Sequence, residues 1–313
     1  MPDAPTVSVL MTSYNRSSYI GLAIESVLAS TFGDFELVVV DDGSTDGTQD
    51  IVRGYAEGDR RVRFYQNKSN LGDYPNRNRA ASLARGKWLK YVDSDDYIYP
   101  HGLEILVSGM AQFPHAGYGL ATFSPLLDCP YPICLSPREA FRRHYFEESI
   151  FHVGPLAAIV ARSALTAVGG FASERMTSDI DMWHRLSTKF HLVLMGGGIV
   201  WYRRHADQEI ADVARRFDYW HFRYQAITER VLLDPEVPLT AEERAKIAMR
   251  LVSENMWGAT RRALKGRLPA AYAYAAKGWE IAQLIGSYRR AAKERPAIFA
   301  SSTKYCRSRD HNL

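Results

Sequence analysis

Glu36-Leu37-Val38-Val39-Val40-Asp41-Asp42-Gly43 is the stretch on which the fold turns. Four successive apolar residues, three of them β-branched, leave no polar alternation, so the segment reads as a strand buried on both faces. It ends abruptly in two acids and a glycine. The same grammar recurs on either side. Val7-Ser8-Val9-Leu10-Met11 runs into Thr12-Ser13-Tyr14-Asn15, and Trp88-Leu89-Lys90-Tyr91-Val92 runs into Asp93-Ser94-Asp95-Asp96. Between these runs lie helical segments. Tyr19–Leu28 places apolar residues at 19, 22, 23, 27 and 28, with Ser17 and Ser18 available as N-caps. Asp46–Tyr55 reads as a second helix, Val62–Tyr65 as another strand, and Ala-rich Asn76–Arg85 as a third helix with Gly86 as its expected C-cap. Pro100–Gln112 is a fourth. Strand and helix in alternation predict an α/β chain with a mostly parallel sheet flanked by helices. Ligands in such sheets bind beyond the carboxyl ends of the strands, where three polar clusters here converge.

Farther on, Gly117–Ser124 and Phe151–Ala161 read as strands around a short helix, Pro137–Tyr145. Gly169-Gly170-Phe171 is a turn, Asp179–Phe190 an amphipathic helix, and His191–Met195 and Ile199–Tyr202 are strands. Past residue 205 only helices are expected, at Ala206–Leu233, Ala241–Leu264 and Pro269–Glu294. The predicted organisation is an α/β domain over 1–205, with halves of about 1–100 and 101–205, followed by a helical extension over 206–313.

Composition narrows the class. The 313 residues are 46% hydrophobic and 24% charged, which excludes a disordered or collagen-like chain. Three cysteines exclude a disulfide scaffold, and Cys129 and Cys134 have no second pair to complete a zinc site. Neither a P-loop nor a GxGxxG pattern occurs. The start Met1-Pro2-Asp3-Ala4-Pro5 lacks a basic region, Val7–Met11 is too short for a signal-peptide core, and no transmembrane run stands out. A cytoplasmic location is expected. The net charge of +4 hides an asymmetry: residues 261–313 carry twelve Lys/Arg against three Asp/Glu.

The strand-end clusters together resemble the family 2 glycosyltransferases of GT-A fold, inverting enzymes that move a sugar from a nucleotide-sugar to an acceptor. The matching pieces are Val7–Arg16, Val40–Thr48, Asn70-Leu71-Gly72 leading to Arg77-Asn78, Tyr91–Asp96, Gly169-Gly170-Phe171 and Asp179–Trp183. They stand in the family's order over about residues 5–205. The helical extension falls outside the match.

The resemblance implies roles residue by residue. Thr12 and Tyr14 contact the nucleotide, and Asp42 accepts a hydrogen bond from the base, as a carboxylate suits the uracil N–H. Arg77 stands near the nucleotide, preceded by Asn76 where the family has a small residue. Asp93 binds the ribose. Asp95 is a ligand of a divalent metal, Mn²⁺ or Mg²⁺, which neutralises the diphosphate as it leaves. His205 matches a position that in some members adds a metal ligand. Asp179 matches the base that takes the acceptor's proton; an Asp there also suits helix capping, and Ser178 stands where the family often has an acid. No QxxRW-type element occurs, so single transfer is expected rather than polymer synthesis.

The expected partners are a nucleotide-sugar, UDP-linked, and a glycan or lipid-linked acceptor in polysaccharide or glycoconjugate synthesis. No nucleic acid is expected, and homo-oligomerisation stays open. The basic C-terminal helices suit either peripheral contact with the inner face of a membrane or packing on the catalytic domain with the basic face in water. A catalytically silent nucleotide-sugar binding module and a sugar nucleotidyltransferase are the alternative readings.

Overall fold

The computed structural model describes residues 4–122, 130–173, 176–205 and 217–294. Eight strands make one sheet: β1 (Val7–Ser13), β2 (Phe35–Asp41), β3 (Val62–Gln66), β4 (Trp88–Tyr91), β6 (Ala116–Thr122), β7 (Ile133–Leu135), β8 (Ala158–Ala161) and β9 (His191–Gly196). Their order is β3-β2-β1-β4-β8-β6-β9-β7. β3, β2, β1 and β4 are mutually parallel, as are β6 and β9; β8 runs against both β4 and β6, and β7 against β9. A second, two-stranded sheet pairs β5 (Tyr97–Ile98) with β10 (Val200–Trp201). The helices are α1 (Ile20–Leu28), α2 (Thr48–Gly58), α3 (Asp73–Leu83), α4 (Gly102–Ala111), α5 (Pro137–Arg142), α6 (Arg162–Ala167) and α7 (Ser178–Lys189).

All seven residues of β2 are buried, the burial that its unbroken apolar run predicts. Its one charge near the amino end, Glu36, is held in place. Glu36 accepts from Ser8 Oγ at 2.6 Å and the Arg85 amide at 2.8 Å, and pairs with Arg63 at 2.7 Å and Arg85 at 2.8 Å. Burial alone would raise this carboxyl, but these donors hold it below the usual carboxylate range.

Several expected details differ. Gly86 is not a helix C-cap: α3 closes at Ala84, and a Cβ on Gly86 would lie 2.5 Å from the Ser8 amide nitrogen, so the glycine serves a close strand crossing. Helix α1 has no side-chain cap from Ser17 or Ser18; a turn from Arg16 feeds it instead. The run Phe151–Ala161 is not all strand, because Pro155 opens a 3-10 turn, Pro155–Ala157, that leaves only four residues for β8. The last turn of Pro137–Tyr145 is π-helical, over Arg143–Glu147. Ser124 and the start of Ala206–Leu233 lie outside the described residues.

The chain divides into two units, Met1–His144 with Glu148–His221, and Tyr145–Glu147 with Phe222–Leu313. The helices at the carboxyl side are α8 (Phe217–Leu233), α9 (Ala241–Ala263) and α10 (Leu268–Glu294). α9 opens with a reciprocal Thr240–Glu243 capping box. Arg244, buried on α9, donates to the carbonyls of Val231, Leu232, Asp234, Val237 and Leu239, satisfying the end of α8 and the turn after it. Among the described residues no helix is long and apolar enough to cross a membrane.

Candidate active site

At the end of β1, Thr12 is half-buried and Tyr14 is exposed. Asn15 takes a left-handed conformation, φ 50°, which lets its Oδ1 accept from the Thr45 amide at 2.9 Å while its own amide donates to Ser44 Oγ at 2.8 Å. Asp41 organises this loop, accepting from Ser13 Oγ, the Gly43 and Ser44 amides and Gln49 Nε2. Asp42 faces the other way. Its Oδ1 accepts from Asn67 Nδ2 at 2.6 Å and the Leu71 amide at 2.8 Å, and its Oδ2 from the Gly72 amide at 2.9 Å. It thereby ties the end of β2 to the Asn70-Leu71-Gly72 loop.

Beyond β4, a turn from the Asp96 amide to the Asp93 carbonyl gathers three carboxylates. Arg77 on α3 is bracketed by Asp93 of this turn and by Asp73 of its own helix, with Nε 2.9 Å from Asp73 and Nη2 2.7 Å from Asp93, and its guanidinium lies 5.8 Å from the Tyr91 ring centre. Desolvation works against this cation, but Asp73 and Asp93 keep it firmly charged. Burial pushes the Asp93 carboxyl up, Arg77 pulls it down, and Asp73 and Asp95 push it up again.

Asp95 Oδ2 lies 3.0 Å from His205 Nε2 and 3.2 Å from Arg16 Nε. The His205 ring stacks on Tyr19 at 4.7 Å, and Arg203 sits between Tyr19 and Trp201, 5.3 and 5.0 Å from their rings. From there Arg203 Nε donates to the Asp95 carbonyl and its amide to Asp96 Oδ1, both at 2.9 Å. Asp96 is buried. Desolvation, with Asp93 and Asp95 beside it, outweighs that amide and pushes the carboxyl up to about 7.

Asp179 stands in the first turn of α7, where a helix N-terminus favours an anion, and its Oδ1 accepts from the Ile180 amide at 2.8 Å. Asp181 points elsewhere, to Arg185 at 2.8 Å, which in turn donates to the carbonyls of Val168 and Gly170. Asn78 of α3 clamps Phe171 from both sides, donating to its carbonyl and accepting from its amide, each at 2.8 Å. The approach to α7 is constrained: Met176 is buried at φ 69°, a conformation uncommon outside glycine. Tyr202 has an exposed ring, and its phenol is raised above a normal value by loss of water around the hydroxyl and then by the negative fields of Asp93, Asp96 and Asp179.

The sequence reading did not single out Arg16, Lys90 or Tyr202 as parts of this cluster. One signal was present: Lys90 is a lone charge inside the otherwise apolar run Trp88–Val92, and it is completely enclosed.

Among the described residues no group of three or more His, Cys, Asp or Glu side chains is arranged to hold a metal by itself. A pair does fit one. Two donors sharing an ion at about 2.1 Å and a right angle stand about 3 Å apart, which matches the Asp95–His205 separation of 3.0 Å. Carboxylate oxygen with imidazole nitrogen suits Mn²⁺, and such an ion keeps positions for phosphate and water.

The chain matches the model of Glycosyl transferase family 2 over residues 8–128. It is 30% identical over 200 residues to the putative glycosyltransferase EpsE of Bacillus subtilis, covering 59% of this chain and 68% of that protein. It is 36% identical over 120 residues to the putative teichuronic acid biosynthesis glycosyltransferase TuaG of the same organism, covering 37% and 48%. Other curated relatives are spanned less fully, 36% of a Methanocaldococcus jannaschii glycosyltransferase for one. Among solved structures, the mannosyltransferase PcManGT of Pyrobaculum calidifontis, in complex with GDP-Man and Mn²⁺, aligns with a TM-score of 0.63 at 19% identity, over 93% of this chain and 84% of that one. S. aureus TarS 1–349 in complex with UDP-GlcNAc aligns with a TM-score of 0.60 at 19% identity, over 91% and 92%. These likenesses in structure speak for the GT-A fold alone. The family model, the EpsE match and the strand-end carboxylates agree, and the chain belongs to glycosyltransferase family 2.

Proposed function

We propose that the chain transfers one sugar, with inversion, from a nucleotide-sugar to an acceptor hydroxyl in polysaccharide or glycoconjugate assembly, and that the donor is UDP-linked. The observation that carries this reading is the carboxylate cluster at the end of β4, with Arg77 Nη2 2.7 Å from Asp93 and His205 Nε2 3.0 Å from Asp95. The ligands bound in two structural neighbours, UDP-GlcNAc and GDP-Man with Mn²⁺, support a nucleotide-sugar site.

In this reading Tyr14 and Thr12 border the nucleotide, and Asp42, whose Oδ2 accepts from the Gly72 amide, accepts from the base. Asp93, steadied by Arg77, accepts from the ribose hydroxyls. Asp95 and His205 would hold the divalent metal, which supplies charge neutralisation to the leaving diphosphate. Arg16 neutralises Asp95 otherwise. Asp179 accepts the acceptor hydroxyl's proton as that oxygen attacks the anomeric carbon. Metal-dependent release of UDP from a panel of nucleotide-sugars tests the proposal. Tight nucleotide binding with no turnover of any donor would mark the chain as a binding module instead.

The acceptor is proposed to be lipid-linked, with α9 and α10 resting on anionic lipid. Leu268, Tyr272 and Trp279 recur along α10 with 66%, 77% and 72% of their surface exposed, and Arg261, Lys265 and Arg267 stand exposed around the α9–α10 turn. Flotation with anionic vesicles, lost in Tyr272→Ser/Trp279→Ser, is the expected result; no flotation by the unaltered chain would refute the contact.

A further inference from the structure

Lys90 has no exposed surface. It sits opposite Val9 in the β1–β4 register, and strand alternation turns it to the face away from Tyr91, whose ring meets Arg77 and Phe171. Its Nζ donates to the Tyr91 carbonyl at 2.9 Å and to the Leu156 carbonyl. Leu156 belongs to the 3-10 turn Pro155–Ala157. Just before that turn, Val153 gives its carbonyl to Trp183 Nε1 at 2.8 Å. Trp183 is buried on α7, one turn beyond Asp179. A line of polar contacts and short backbone links thus runs from the strand end that carries Asp93 and Asp95, through Lys90, to the helix that carries Asp179.

An aliphatic side chain would fill this space without the cost of burying an amine. Desolvation draws the Lys90 ammonium down to about 7, against the opposing pull of Asp93 and Asp96. The Tyr91 carbonyl that holds the amine at 2.9 Å lies two residues before Asp93, so the amine stands at the foot of the acidic turn.

We propose that Lys90 is a positioning residue for transfer: it sets the span between the donor-side carboxylates and Asp179, and its charge offsets the acidic turn before a divalent cation arrives. This rests on the donor-site reading above. Removing a cation from an acidic site favours a second cation, whereas a purely structural defect loosens the ligands and weakens binding. The two roles therefore move metal affinity in opposite directions.

The test is Lys90→Met, close in volume, measured by calorimetric titration with Mn²⁺ in the presence of UDP and by steady-state transfer. The expected result is Mn²⁺ binding about threefold or more tighter, with kcat lower by about tenfold or more at a little-changed donor KM. Unchanged or weaker Mn²⁺ binding would overturn the proposal. Trp183→Phe is the second variant. It removes the Val153 contact while keeping the Lys90 charge, so kcat should fall with Mn²⁺ affinity unaltered; unaltered kcat would overturn the proposed span. An unmodified chain that binds neither UDP nor Mn²⁺ would instead refute the donor-site reading itself.

Discussion

Asp95 Oδ2 and His205 Nε2 are 3.0 Å apart although 110 residues separate them in sequence. β10 and the stacking of His205 on Tyr19 bring the histidine back to the end of β4. If the pair shares a cation, Asp95→Asn removes the charged ligand and His205→Ala only the neutral one. Mn²⁺ affinity with UDP present, read by calorimetry, should then fall by more than about a hundredfold in the first variant and about tenfold in the second. Equal affinities in all three proteins would exclude the pair.

Asp179→Asn should preserve donor binding and lower transfer by about 10²–10⁴-fold, the range of a lost general base. Binding of UDP by fluorescence and single-turnover transfer separate the two effects. Because Asp181 is engaged by Arg185, Asp181→Asn should act mainly on stability.

Gly170 stands at φ 73°, and a Cβ there would approach Asn78 Oδ1 to 2.5 Å. Gly170→Ala should therefore cost about 2 kcal/mol or more, from backbone strain and the disturbed Phe171 clamp. Gly169, also left-handed but open around its Cα, should pay the strain alone. Urea midpoints of the two variants give the comparison.

Glu36 has a depressed folded pKa, so its contribution is complete above the unfolded value near 4.3 and is lost as pH falls through the folded value. Glu36→Gln leaves Arg63 without its partner and should cost about 3 kcal/mol at pH 7. The gap in denaturation midpoint between the two proteins should shrink as pH is lowered from about 5 toward 3. A gap that stays constant with pH would show that Glu36 contributes through packing.

Lys90 should produce the opposite signature. Its folded pKa, about 7, lies below the unfolded value near 10.4, so the unfolded chain binds the proton more strongly between them. Stability relative to Lys90→Met should rise as pH goes from about 7 to about 10. A flat difference would mean that the amine keeps an ordinary pKa despite its burial.

The parallel half of the sheet was legible because β1, β2 and β4 lie inside it, and strands covered on both faces are mostly apolar, with buried exceptions such as Glu36 and Lys90 held by hydrogen bonds. The strand ends were legible for the complementary reason: acids clustered after such runs cannot be buried cheaply. What escaped depends on long-range pairing. The short β5 and β10 are strands only because they meet each other, and Pro155 shortened β8 within a run whose composition looked uniform. Asp42 had a place in the motif, but its bonds to the Leu71 and Gly72 amides came from the fold. Arg16 ended a matching segment and Arg203 followed a strand, but their partners, Asp95 and its carbonyl, lie 79 and 108 residues away along the chain.

The position of β8 has a consequence for how the chain is assembled. Strands β1 to β4 come from the first 91 residues and pair with one another, so this part can form early in synthesis. The outer side of β4 is completed only by Trp88↔Ala161 and Leu89↔Val160, from a segment some seventy residues later. The family match, residues 8–128, stops short of that segment. A chain cut after residue 128 would present an apolar, unpaired strand edge to water, a template for intermolecular pairing. The stretch that identifies the family is thus not a portable module: its solubility depends on a later strand that runs the other way.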